Sequence, residues 1–140
     1  MKTIILDTNI ISELMKPEAD FVVKRWLDGL ENSVLVTTSV TVAEISFGLA
    51  RLPVGARRSK LERSFAALVG TTSPLPVLPL DETAARIAGN TRALRERNGV
   101  AATFADTAIA GIALAHGHSL ATRNVRDFDG LGVEVVDPWG

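Results

Sequence analysis

The chain has 140 residues, 46% of them hydrophobic, a length and apolar content that suit one domain spanning residues 1–140 with one substantial core. Its 15 Lys and Arg nearly balance 16 Asp and Glu, and it has no cysteine, which excludes disulfides, thiolate metal sites, a cysteine nucleophile and a uniformly cationic nucleic-acid binder. No apolar run approaches the ~20 residues that span a bilayer, and no signal-peptide pattern opens the chain, so a soluble, cytoplasmic protein without a membrane partner is expected.

In chain order, the aliphatic run "TIIL" (3–6) predicts a buried strand, followed by helical patterns over 9–15 and 20–30. "VLVT" (34–37) predicts a second strand, with helices over 41–52 and 57–70 behind it. "VLPL" (77–80) is the third, and Pro79 within it predicts an edge position or an early end. Helices over 82–98 and 104–116 follow, the first closed by Asn98-Gly99 and the second by Gly117. "SLAT" (119–122) and "VEVV" (133–136) complete the set. Strands alternating with helices predict an α/β fold, a three-layer sandwich around a central parallel sheet of about five strands, with ligands at the carboxyl ends of the strands.

Carboxylates follow several of those strand ends. Asp7 comes directly after the first strand, where capping of the next helix by Thr8, Asn9 or Ser12 is the local alternative to a functional role. Glu44 lies just beyond the second strand, and Thr41-x-x-Glu44 has the spacing of a capping box. Thr103-x-x-Asp106 is a similar helix start, but Asp106 shares a helix face with Ala110 and Ala113, so it is expected to be at least half buried. A buried charge must be paired or must coordinate a metal. After the fourth strand, Asn124 and Asp127 are alternative oxygen ligands, while Asp129 before Gly130 reads as a turn. Three acids brought to one sheet end would repel each other, and a divalent cation relieves this; oxygen ligands without Cys or a His cluster select Mg²⁺ or Mn²⁺.

The remaining features carry less. Basic residues concentrate in 51–63 (Arg51, Arg57, Arg58, Lys60, Arg63) and 86–97 (Arg86, Arg92, Arg95, Arg97), as solvated helix faces or as contacts for an anionic partner. Phe47, Phe65 and Phe104 fall in helical apolar patterns and read as core, and Trp26 and Trp139 as core or dimer packing. His116 and His118 suit a helix C-terminus and have no partner at metal-ligand spacing.

The blocks "ILDTNIISEL", "TSVTVAEISFGLARL" and "FADTAIAGIALAHGHSLATRNVRDFDGLGVEVVDPW" together resemble the PIN-domain nucleases, and within them the VapC/FitB-like toxins of toxin–antitoxin pairs. The resemblance covers nearly the whole chain in the right order. It implies a PIN-like fold and a Mg²⁺- or Mn²⁺-dependent endoribonuclease, inhibited by a cognate antitoxin and assembled as a homodimer. It places Asp7, Glu44 and Asp106 at the family's acidic triad and Thr8, Asn9 and Thr122 at its polar positions. Where the family often has a fourth acid this chain has Asn124, with Asp127 close by. For an RNA substrate, Arg51, Arg57, Arg58, Lys60, Arg123 and Arg126 are the nearest phosphate contacts.

Two other readings compete. An aspartyl-nucleophile phosphatase would want an acid at position 9, where Asn9 stands, and a downstream lysine, but no lysine follows Lys60. An inactive PIN-like binding module is the other, with Asn124 as its reason.

Overall fold

The first strand, β1 (Lys2–Leu6), is covered on both faces: Ile4 and Leu6 enter one apolar cluster and Ile5 enters another. A strand buried on both sides belongs in the middle of a parallel sheet. The computed structural model describes residues 1–70 and 72–140. Its other strands are β2 (Ser33–Thr38), β3 (Val77–Leu78), β4 (Ser119–Ala121) and β5 (Val135–Val136), all parallel, in the order β3-β2-β1-β4-β5. Ile4 pairs with Leu35 on β2 and with Ser119 on β4, which sets the register of the central three strands.

Helices cover both faces, as expected of three layers. On the Ile4 and Leu6 side lie α1 (Thr8–Leu14), α2 (Phe21–Asp28), α3 (Ser39–Arg51) and α4 (Ala56–Leu68), through Ile10, Ile11, Trp26, Ile45 and Phe65. On the Ile5 side lie α5 (Glu82–Arg97) and α6 (Phe104–His116), through Ala84 and the run Ala108–Ala113. Among the described residues no helix is long and apolar enough to cross a membrane.

The elements match the sequence expectation, with differences at their ends. β3 stops at Leu78 on the sheet edge, because Pro79 has no N–H to donate. β5 begins at Val135 rather than 133. Thr122 lies just past β4, although its N–H still donates to the Val136 carbonyl at 3.0 Å. A 3-10 turn, Val125–Phe128, is pinned by the fully buried Phe128. Two helical phenylalanines are not core: Phe47 is 62% and Phe104 60% exposed.

The chain builds β1, β2 and β3 outward in one direction, then returns past β1 to place β4 and β5 on the other side. The order therefore reverses between β1 and β4, and the crevice at the carboxyl ends of these two strands is where open α/β sheets bind ligands. Asp7 and Thr122 are the residues that emerge there.

The position of α6, which carries Asp106, depends on close packing against α5. A Cβ added at Gly111 would lie 2.4 Å from the Ala84 carbonyl oxygen and 3.0 Å from Ala88 Cβ. Alanine is the better helix former by about 1 kcal/mol, but here the backbone of α5 blocks it. Gly111→Ala should therefore destabilise the fold by about 1–3 kcal/mol, read as a lower denaturant midpoint; an unchanged or higher midpoint would show that the two helices can move apart freely.

Candidate active site

Asp7 is itself the N-cap of α1, in place of the Thr8, Asn9 or Ser12 that the sequence offered: its Oδ1 accepts the Thr8 N–H at 2.8 Å. Capping occupies only one of its oxygens. Oδ2 accepts the Thr122 hydroxyl at 2.7 Å and, more weakly, the Asn9 side-chain amide at 3.4 Å. Asn9 ties the same strands together again, donating to Thr122 Oγ1 at 3.1 Å and accepting the Arg123 N–H at 3.1 Å. Asp7 is 4% exposed and Thr122 fully buried, so the carboxylate is fixed where β1 meets β4.

Glu44 reaches the site because its capping role does not exist. Helix α3 starts earlier than the sequence suggests: Thr38 is its N-cap and accepts the Thr41 N–H at 3.2 Å, which leaves Thr41 inside the helix and no box for Glu44 to close. Glu44 Oε1 instead accepts the Thr8 hydroxyl at 2.7 Å, and that hydroxyl also lies 3.1 Å from Thr41 Oγ1. Beneath them Thr37, its hydroxyl donating to the Leu6 carbonyl at 2.9 Å, and Thr38 and Thr41 are fully buried. These three threonines form a polar floor, of which the sequence reading named only Thr41, and that as a cap; the signal was the run "TTSVT" at the end of a buried strand.

Asp106 keeps its helix-start role as well. Thr103 is the N-cap of α6, accepting the Asp106 N–H at 3.1 Å, and Asp106 is half-buried above the small-residue face of Ala110 and Ala113. Burial pushes its carboxyl above the ordinary aspartate value, the Thr103 hydroxyl opposes this, and the charges of Asp127, Asp7 and Glu44 push it further up. Asp7 is raised for the same first reason, burial, against the Thr122 and Thr8 hydrogen bonds and with Glu44 and Asp127 adding to the rise. Four acids thus share one electrostatic neighbourhood.

The fourth is Asp127. It acts on both Asp7 and Asp106, whereas Asn124 enters the network through its backbone N–H, which donates to Thr122 Oγ1 at 3.1 Å. Among the described residues no group of three or more Asp, Glu or His side chains is placed so as to hold a metal ion. The donors present are all oxygens, the set that suits a hard divalent cation completing its shell with water or phosphate oxygens.

The basic residues divide. Arg123 and Arg126 flank Asn124 in sequence and line one concavity with Asp127. Arg51, Arg57, Arg58 and Lys60 lie at the far end of α3 and the start of α4, with Arg51 about 10 Å along the helix axis from Glu44. Arg58 is engaged there by Glu62 at 3.2 Å and the Leu52 carbonyl at 3.3 Å. In the 86–97 stretch Arg95 turns inward, 9% exposed, and donates to the Asp127 carbonyl, so that part is not a solvated face. His116 and His118 stack with ring centroids 5.3 Å apart at the C-terminal end of α6, the opposite end from Asp106.

Residues 4–133 match the family model of the PIN domain. The VapC ribonuclease Y4jK of Sinorhizobium fredii is 38% identical over 136 residues, covering 97% of each chain, and Toxin FitB of Neisseria gonorrhoeae is 33% identical, covering 97% of this chain and 98% of its own. The crystal structure of FitAcB from Neisseria gonorrhoeae superposes with a TM-score of 0.84 at 33% identity, over 97% of this chain and 98% of that one. With a parallel sheet in the order 3-2-1-4-5, acids behind its strands and this match along nearly its whole length, the chain belongs to the PIN-domain family, among relatives of the VapC and FitB kind.

Proposed function

We propose that the chain is the toxin of a toxin–antitoxin pair, an endoribonuclease that hydrolyses RNA phosphodiester bonds with Mg²⁺ or Mn²⁺ held by the carboxylates around Asp7. It acts in the cytoplasm, as a homodimer, until a cognate antitoxin binds it. What supports this reading above all is Asp7: an acid 4% exposed, at the point where the strand order reverses, with three further acids in electrostatic reach. The relatives named as a ribonuclease and as a toxin support the substrate class and the pairing with an antitoxin.

When bound, the cation supplies a polarised phosphoryl oxygen, a water of lowered pKa and neutralisation of the charge that develops on the phosphate. Asp7 and Asp106 are the residues assigned to hold it. Glu44, exposed and steadied by the Thr8 hydroxyl, either joins them or takes the proton of the attacking water. Asp127, whose charge reaches both aspartates, and Asn124, whose N–H bonds the Thr122 hydroxyl, are the alternatives for the fourth position. Thr8, Asn9 and Thr122 aim Asp7, and Arg123 and Arg126 are the phosphate contacts nearest the acids.

Asp7→Asn and Asp106→Asn should each lower metal-dependent cleavage of total RNA by at least about a hundredfold while leaving the circular dichroism spectrum unchanged. Discrete fragments from either folded variant at the wild-type rate would remove that aspartate from the site. Folded wild-type protein that cuts no RNA with either metal would favour the inactive binding module instead.

The raised carboxyls also make stability depend on pH. A native acid that holds its proton where the unfolded chain has lost it makes stability fall as pH rises from the ordinary carboxylate range through the raised values. Mg²⁺ or Mn²⁺ offsets this only once the acids have ionised. The rise in melting temperature on adding either ion over EDTA should therefore be near zero at about pH 4 and grow toward about pH 7.5. An equal effect at both values, or none at the higher one, would contradict a carboxylate-bound cation.

A further inference from the structure

Next to the acids, one arginine is held in place by an aromatic ring. Asp137-Pro138-Trp139-Gly140 folds as a turn, in which the Gly140 N–H donates to the Asp137 carbonyl at 3.0 Å and the Trp139 N–H to the Asp137 carboxylate at 2.9 Å. Asp first, Pro second and Gly fourth are the residues such a turn favours. Pro138 is buried, and Trp139 is half-buried against the apolar cluster on the Ile4 and Leu6 side. Over its ring lies the Arg123 guanidinium, 4.7 Å from the centroid.

The backbone of Arg123 is anchored too. Its N–H donates to Asn9 Oδ1, and the same Asn9 reaches Asp7 Oδ2 and Thr122 Oγ1. The residue is therefore fixed at its main chain by the acid site and at its tip by Trp139, and it is exposed to solvent. A concavity of 360 Å³, lined by Arg123, Asn124, Val125, Arg126, Asp127 and Asp137, joins it to the acid cluster through Asp127.

An exposed guanidinium plane offers two things at once: a surface on which a nucleobase stacks and an N–H edge that takes a phosphate oxygen. Resting on the ribonuclease reading, we propose that Arg123, stacked on Trp139, is the platform for the RNA nucleotide next to the scissile phosphate, and so a specificity-determining residue. Trp139 is then a positioning residue acting through Arg123. Ammonium in place of guanidinium keeps the charge and loses the plane, which separates a platform from a simple charge contact.

The test measures kcat and KM on a single-stranded RNA carrying a site cut by the wild type, for Arg123→Ala, Arg123→Lys and Trp139→Phe, with cleavage positions mapped in total RNA. Arg123→Ala should raise KM about tenfold with kcat within about threefold of wild type. Arg123→Lys should recover little of the loss, Trp139→Phe should fall between it and the wild type, and cleavage positions should lose selectivity most in Arg123→Ala and least in Trp139→Phe. The rise in melting temperature that Mn²⁺ gives over EDTA should match the wild type in each variant, since the acids are untouched. Wild-type KM in Arg123→Ala, or its full rescue by Lys, would overturn the platform while leaving the ribonuclease reading standing. Wild-type protein that cuts no RNA would overturn both.

Discussion

The hydrogen bond from the Thr122 hydroxyl to Asp7, at 2.7 Å, joins the end of one central strand to the end of its neighbour, and the rest of the site is arranged around it. β1 and β4 pair in register from Ile4 and Ser119 to Leu6 and Ala121, so the residues that follow emerge side by side at the same edge. The sheet order turns back between these two strands, which leaves a crevice with no connection crossing it. Asp7 closes β1 and caps α1 in one move, Asn9 fastens the segment after β4, and Glu44 is drawn in by the Thr8 hydroxyl.

Burying this carboxylate is unfavourable for the fold on its own. Desolvation and neighbouring acids raise both Asp7 and Asp106, and hydrogen bonds from Thr122, Thr8 and Thr103 offset only part of that. The scaffold that holds the acids in place is apolar and tight: Ile5, Leu6, Ile10 and Ile11 are fully buried, and α6 lies so close to α5 that position 111 has no room for a methyl group. Stability is supplied by the layers, and the crowded charge is concentrated at the strand ends.

Much of this was legible in the residues. Aliphatic runs broken by helical periods predicted the parallel sheet, and Pro79 correctly marked β3 as a short edge strand. Asp7 and Asp106 stood out because each ends an apolar stretch or starts a small-residue one. The apparent capping box at Glu44 misled, since the competing cap three positions before α3's predicted start was one of several threonines with equal propensity, and tertiary placement chose Thr38. Phe47 and Phe104 misled as well, because a helical apolar period does not say which face the sheet will cover. The placement of Asp127 follows from a 3-10 turn that ends on the buried Phe128, a long-range contact that no local pattern encodes. The pairing of Arg123 with Trp139 was out of reach for the same reason.

On the reading proposed above, the crevice between β1 and β4 holds a divalent cation. The most direct test of this is the anomalous difference map from crystals of the protein grown or soaked with Mn²⁺. A peak within coordination distance of Asp7 and Asp106 oxygens, about 2.0–2.3 Å, is the predicted result. A well-ordered Mn²⁺ elsewhere in the molecule with none between these aspartates would contradict it.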